Sequence, residues 1–185
     1  MIIQVSEESI EYTGTQLSPH WIYHRFGLLG DALISFQGPC HVALDKMVDQ
    51  VDVRENKPIC SDLMLHFIGE FFGPTLSETI LWLRLLVSLA QEEIVFRTKN
   101  PTIIRGSNDL YDGDAKLSVA IATASPISTL IHFGINITNT GTPIKTKGLN
   151  DYNINSSSFA KSLLESFKNE WMTAREARSK VKPVF

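Results

Sequence analysis

Cysteine is scarce in this chain of 185 residues. The two present, Cys40 and Cys60, form no C-x-x-C pair, so no disulfide framework or paired-cysteine motif can be read. Long hydrophobic runs are missing too. The most apolar helical stretch, "LSETILWLRLLVSLAQEEI", contains Glu78 and Arg84 and is too short to span a bilayer. The opening "MIIQVSEESIEYTG" has no basic start, and Gln4 and Ser6 interrupt its apolar run, unlike a signal peptide. Basic charge is not in excess: the net charge is −3, which leaves no electrostatic footprint for nucleic acid. No glycine pattern, Gly27-Leu28-Leu29-Gly30 included, makes a phosphate loop, and there are no internal repeats. These absences together predict a cytoplasmic protein with reduced thiols and neither a membrane nor a nucleic-acid partner. The Asn136-Ile137-Thr138 match to a glycosylation site then carries no meaning.

What is present is a globular composition, 43% apolar and 20% charged. The length suits one domain, residues 1–185, with a sizeable core. Short strands are predicted at 2–5 and 8–13, the second ended by Gly14. Ser18-Pro19 predicts a capped start for the helix "HWIYHRF", which closes at Gly27. Ala32, Ile34 and Phe36 alternate through a strand at 31–37 that Gly38-Pro39 breaks. Residues 63–72 suit a buried strand better than a short helix. Thr75-Leu76-Ser77-Glu78 is a capping-box pattern, and its helix runs to about Glu93 with Ile80, Leu83, Val87 and Ala90 on one stripe. After Pro101 the period becomes two. Strands at 102–105, 109–111, 115–123 and 129–138 are predicted to make one contiguous antiparallel sheet. Asp112-Gly113 and Ser125-Pro126 are its turns. Residues 138–158 read as a polar loop. A last helix from Ser157 carries Phe159, Leu163, Phe167 and Trp171 at steps of four. The class is therefore α+β, a largely antiparallel sheet with packed helices.

Polar residues at strand ends are the candidates for chemistry. Lys116 opens an apolar strand. It either snorkels to solvent or offers a point charge to a ligand carboxylate or phosphate. Asn108-Asp109 is either a turn or a ligand contact, with Asp109 on a magnesium ion or a ribose hydroxyl. Arg105 is either a surface residue or a phosphate contact. The segment "DVRENKPICSDLMLHF" gathers Asp52, Arg54, Lys57, Asp62 and His66, as a solvated loop or a ligand-facing one. His66 and His132, in apolar strands, read by default as satisfied core histidines. His20 and His24 share a helix face but have no third metal ligand nearby, and no metal site is predicted. Cys40 and His41, as strand neighbours, point to opposite faces and are discounted as a catalytic pair.

The stretch "RGSNDLYDGDAKLSVAIAT…IHFGINI" resembles the signature of biotin and lipoate protein ligases: an Asn-Asp pair, a short hairpin, a lysine, then a strand closing in Gly-x-Asn. Asn108, Asp109, Lys116, Gly134 and Asn136 match it. Over nearly the whole chain, through "SPHWIYHRFGLLGD", "MVDQVDVRENKPICSDLMLHFIGEFF" and "KLSVAIATASPISTLIHFGIN", the sequence is similar to a family of unknown function common in archaea. The resemblance implies the catalytic-core fold shared by class II aminoacyl-tRNA synthetases and these ligases. It implies a pocket for a carboxylic acid or nucleotide, with ATP and magnesium as cofactors and Lys116 as the catalytic residue, and it is compatible with a homodimer. The activity implied is acid activation or acyl transfer, and the alternative is a ligand-binding protein that has lost it. Departures are the missing basic glycine-rich loop, Arg105 in place of the ligases' first lysine, and no cysteine in "KTKGLND", where octanoyl transferases of this fold carry a nucleophile. A shared site requires Arg54, His66, Arg105, Asn108, Asp109, Lys116 and Asn136 to converge on one cleft.

Overall fold

The structure, a computed structural model, describes residues 1–100 and 102–184. Its centre is a long strand, β3 (Ile59–Phe71), apolar at odd and even positions alike. Such a pattern belongs to a strand covered on both faces. Leu65, Phe67 and Phe71 enter one core and Met64 and Ile68 a second. On one side β3 pairs antiparallel with β2 (Ala32–Val42), and β2 pairs parallel with β1 (Ile2–Ser9). On the other side it pairs antiparallel with β8 (Thr129–Asn136), which pairs with β7 (Ser118–Ala124). The sheet order is β1-β2-β3-β8-β7.

Two helices cover the first face. α3 (Leu76–Thr98) starts at the Thr75–Glu78 capping box and buries Thr79, Leu83, Leu86, Val87, Ala90 and Ile94. Thr79, rather than Ile80, begins the buried stripe, its hydroxyl 2.7 Å from that of Thr129. α4 (Ser156–Lys180) buries Phe159, Leu163, Phe167 and Trp171, each worth about 1.5–3 kcal/mol on removal from water. Trp171 stacks on Phe71 with ring centroids 4.8 Å apart. The second face carries Tyr12, Ile22, Ile34, Phe36, Met64 and Ile68 under a short helix α1 (Trp21–Phe26), and a one-turn helix α2 (Gln50–Arg54) lies between β2 and β3.

Residues 102–138 do not form one sheet. β4 (Ile103–Gly106), β5 (Asp109–Asp112) and β6 (Ala115–Lys116) make a separate three-stranded sheet, while β7 and β8 belong to the large one. Leu117 is the joint: its N–H donates to Leu110 of the small sheet at 2.8 Å, and its carbonyl accepts from the Asn136 N–H of the large sheet at 2.9 Å. The hairpin turn Gly113-Asp114 is where Asp112-Gly113 predicted it, with Gly113 at φ 60°.

Three further expectations change. The segments 2–5 and 8–13 give a single strand, with Tyr12 held only by a bridge to Cys40. β2 does not stop at Gly38-Pro39; it bulges there and continues to Val42. The bulge accommodates the missing proline N–H, and Gly38 lets the backbone come close, since a Cβ there would lie 2.0 Å from the Ile10 carbonyl oxygen. α1 starts at Trp21 after a left-handed His20, φ 61°, with no capping side chain. The reason is tertiary: the His20 N–H donates to the buried Glu70 carboxylate at 2.9 and 3.0 Å, and the Ser128 hydroxyl donates to the same carboxylate at 2.7 Å. Hydrogen bonds to a buried charge outweigh a serine cap.

Replacing Glu70 with alanine strands the His20 N–H and the Ser128 hydroxyl. It should cost about 2–3 kcal/mol in urea denaturation; Glu70→Gln, which keeps one acceptor, should cost less.

Candidate functional site

The second face of the large sheet, the turn of the small sheet and two loops enclose a cavity of about 580 Å³. One end is polar, with Asn108, Asp109, Lys116 and Asn136; the other is walled by Tyr12, Met47, Ile121 and His132, and Met64 lies on the floor beside Asn136. The strand pleat makes this possible, because Met64 faces Asn136 across β3–β8 with every second residue on one side.

At the polar end Lys116 Nζ lies 2.6 Å from Asp109 Oδ2, with both side chains about one-fifth to one-quarter exposed (25% and 19%). Asp109 Oδ1 is buried and has no hydrogen-bond partner among the described residues. Burial holds the Asp109 carboxyl above its usual range, outweighing the Lys116 ammonium beside it. The backbone of Lys116 is clamped by the loop after β8: its N–H donates to the Lys145 carbonyl at 3.0 Å, and its carbonyl accepts from the Lys147 N–H at 3.2 Å. Lys147 Nζ and the Tyr152 hydroxyl both reach Asp112, at 2.6 and 2.8 Å. With Thr102 they hold the Asp112 carboxyl down to about 2. This anchors the clamping loop to the small sheet.

The structure brings Asn108, Asp109, Lys116 and Asn136 together on the cavity wall. Asn108 and Asp109 sit at a hairpin turn that borders the cavity: Ser107 takes φ 59°, and the Asn108 amide oxygen accepts from Arg84 Nε at 3.0 Å. Asn136 Nδ2 makes only long contacts, 3.5 and 3.4 Å, to the Lys116 and Lys147 carbonyls. Arg54, Asp62 and Arg105 are exposed and do not line the cavity. Arg105 donates to the Ser107 carbonyl in its own turn. Asp62 instead braces the loop after β8, donating its N–H to the Thr140 carbonyl at 3.2 Å. His66 and Gly134 lie just behind the lining; His66 is fully buried on the cavity side of the sheet and touches His132.

Sequence reading missed Tyr12, His132 and the stretch Thr142–Thr146 as walls. The stretch carried one signal: Lys145-Thr146-Lys147 alternates as a strand does, and Thr146 bridges Lys116 in parallel. His41 bonds the exposed Glu11 and points away from the buried Cys40. Burial pushes the Cys40 thiol up to about 12, so it is inert as a nucleophile. Among the described residues no helix is long and apolar enough to cross a membrane.

A family model described as "Domain of unknown function (DUF366)" matches residues 1–182. An uncharacterized protein of Methanocaldococcus jannaschii is 35% identical over 160 residues, covering 83% of this chain and 72% of that one. Among solved structures, a protein of unknown function from Pyrococcus horikoshi superposes with a TM-score of 0.93 at 33% identity, over 99% of this chain and 98% of the other. A biotin protein ligase from Aquifex aeolicus, in complex with biotin and ATP, matches at a TM-score of 0.59 and 13% identity, over 90% and 69%. That likeness establishes the biotin/lipoate ligase fold and nothing about activity.

The raised Asp109 carboxyl gives a signed prediction. A carboxyl favoured as the neutral acid in the fold contributes stability below its unfolded value and loses it as pH rises through the folded one. The melting-temperature advantage of the native protein over Asp109→Asn should therefore shrink as pH rises above about 4, the ordinary aspartate value. A flat or growing advantage in thermal melts across that range would contradict the burial argument.

Proposed function

The chain belongs to the DUF366 family, and from its ligase fold and the Asp109–Lys116 pair at the cavity's polar end we propose that it binds a small carboxylic acid and activates it with ATP for acyl transfer. The observation that carries this reading is the pairing itself: a lysine ammonium and a carboxylate with one unsatisfied oxygen, side by side in a cavity large enough for a metabolite. Activation joins an acid oxygen to the α-phosphorus of ATP and releases pyrophosphate. Lys116 would stabilise the charge that gathers on the carbonyl and phosphoryl oxygens, and Asn108 would orient the same group. Asp109 Oδ1 would accept a ribose hydroxyl or hold magnesium. Among the described residues no three His, Cys, Asp or Glu side chains cluster to hold a metal. A single carboxylate completed by substrate phosphates nevertheless suits magnesium, which dehydrates reluctantly; the ion would supply neutralisation of phosphate charge. This reading takes all 185 residues as one domain working in the cytoplasm, as monomer or homodimer, with a small molecule as its partner.

A second reading, a binding protein without adenylation, is favoured by the segment from Ala43 to Pro58 between β2 and β3. It borders the cavity with Lys46 and Lys57 but contains no glycine, so a backbone wrap around phosphates is not available there.

Two measurements separate the readings. Acid-dependent exchange of labelled pyrophosphate into ATP supports activation; stabilisation by the acid in a thermal-shift assay without exchange supports binding alone. In either case Lys116→Ala should weaken acid binding at least about tenfold, the effect of losing one charge-assisted contact. A large loss of stability with affinity intact would make Lys116 a structural ion-pair member and remove the proposal.

A further inference from the structure

The far end of the cavity holds a pair of buried histidines whose protons can be placed from their partners. His66 Nε2 lies 3.2 Å from the Gly38 carbonyl oxygen, and His66 Nδ1 lies 3.0 Å from His132 Nε2. A carbonyl only accepts, so His66 Nε2 carries the hydrogen. Neutral His66 then has an acceptor at Nδ1, and His132 Nε2 must donate to it. The last ring nitrogen, His132 Nδ1, is left as a bare acceptor. It has no partner among the described residues and is not one of the unpartnered atoms sealed from the outside. His132 is 3% exposed, lines the cavity, and is held flat against Tyr12 with ring centroids 3.7 Å apart. Burial pushes the His66 imidazole down to about 4, and burial followed by the neighbouring His66 puts His132 well below its usual value. Both rings are thus neutral at physiological pH, as the proton placement requires.

A neutral acceptor in an apolar end of a cavity is satisfied by a ligand N–H or O–H and left unpaired by a hydrocarbon. We propose that His132 Nδ1 is a specificity-determining acceptor, and that the ligand is a carboxylic acid whose distal end carries a hydrogen-bond donor such as a cyclic urea, amide or hydroxyl. The inference rests on the reading of the polar end as a carboxylate site. The dimensions agree with a bifunctional ligand: Asn136 and His132 are four residues apart on β8, on the same face, about 13 Å at 3.3 Å per residue. Between them Gly134 keeps the floor low, since a Cβ there would lie 3.0 Å from the Met64 methyl and 3.2 Å from the His132 ring.

Two acids with similar five-carbon carboxylate arms test this. Biotin ends in a cyclic urea with two N–H groups, and lipoate ends in a disulfide ring with none. Calorimetric titration of the whole chain should show biotin binding at least about tenfold more tightly than lipoate, the discrimination expected when one buried acceptor goes unpaired. His132→Phe, which keeps the stack on Tyr12, should bring the ratio to within about threefold by weakening biotin alone. Because that variant removes one member of the histidine pair, tautomer-resolved ¹⁵N spectra of the unmutated protein provide an independent reading: His132 Nδ1 should be unprotonated and should shift when biotin is added. A protonated Nδ1, or equal binding of the two acids, overturns the inference while leaving the carboxylate site intact. If neither acid binds, both the carboxylate reading and the ligand class fall.

Discussion

The pairing of β3 with β8, His66 opposite Gly134, is the constraint on which the rest of the molecule depends. Side chains alternate across a strand, so this one register sends Leu65, Phe67, Phe133 and Ile135 toward α3 and α4, and Met64, His66, His132 and Asn136 toward the cavity. A slip of one residue would turn both sets over at once. Phenylalanines would fill the cavity, and two histidines would be pressed against the aromatic packing around Trp171. The same register sets His66 Nδ1 against His132 Nε2. Core packing and site chemistry are therefore specified by one set of backbone hydrogen bonds, and neither can be tuned by sliding the strands.

The two ends of the cavity are built by different means. The polar end is assembled from the small sheet, whose turn supplies Asn108 and Asp109 and whose last strand supplies Lys116, clamped by the loop after β8. It holds a carboxyl beside a lysine in a partly dry place, where burial raises the carboxyl against the pull of the ammonium. The apolar end is assembled from the large sheet, with the histidine pair as its polar groups on the cavity wall. Polarity thus rises along the cavity from the fixed sheet toward the loops.

Much of this was legible in the sequence where the signal is local. The Thr75–Glu78 capping box, the Gly113 turn and the period of four in α4 each depend on neighbours a few residues away, while the Asn108-Asp109 … Lys116 … Asn136 constellation was legible through its resemblance to a known signature. What was not legible depended on partners far along the chain. Ser18-Pro19 is a sound helix start until Glu70, fifty residues on, takes the His20 N–H. Gly38-Pro39 is a sound strand break until a bulge absorbs it. The strands from 102 to 138 look continuous in period, and only the hydrogen bonds of Leu117 show that the chain changes sheets there. Arg54, Asp62 and Arg105 carry charge in the right neighbourhoods of sequence, yet their places on a short helix and two strands leave them exposed. His66 and His132 looked like core residues and are; the sequence has no way to say which nitrogen was left over.

The bulge at Gly38 has a consequence for how the site could change over evolutionary time. The atom that sets the direction of the histidine hydrogen bonds is the main-chain oxygen of residue 38, which no substitution at that position can delete. Nor can the residue readily acquire a side chain, because the Ile10 carbonyl occupies the space a Cβ would need. The direction of the far end's hydrogen bonds is inherited with the shape of a backbone, for as long as His66 and His132 are kept. Descendants of this chain could replace every charged residue at the other end of the cavity while the two histidines kept the same orientation.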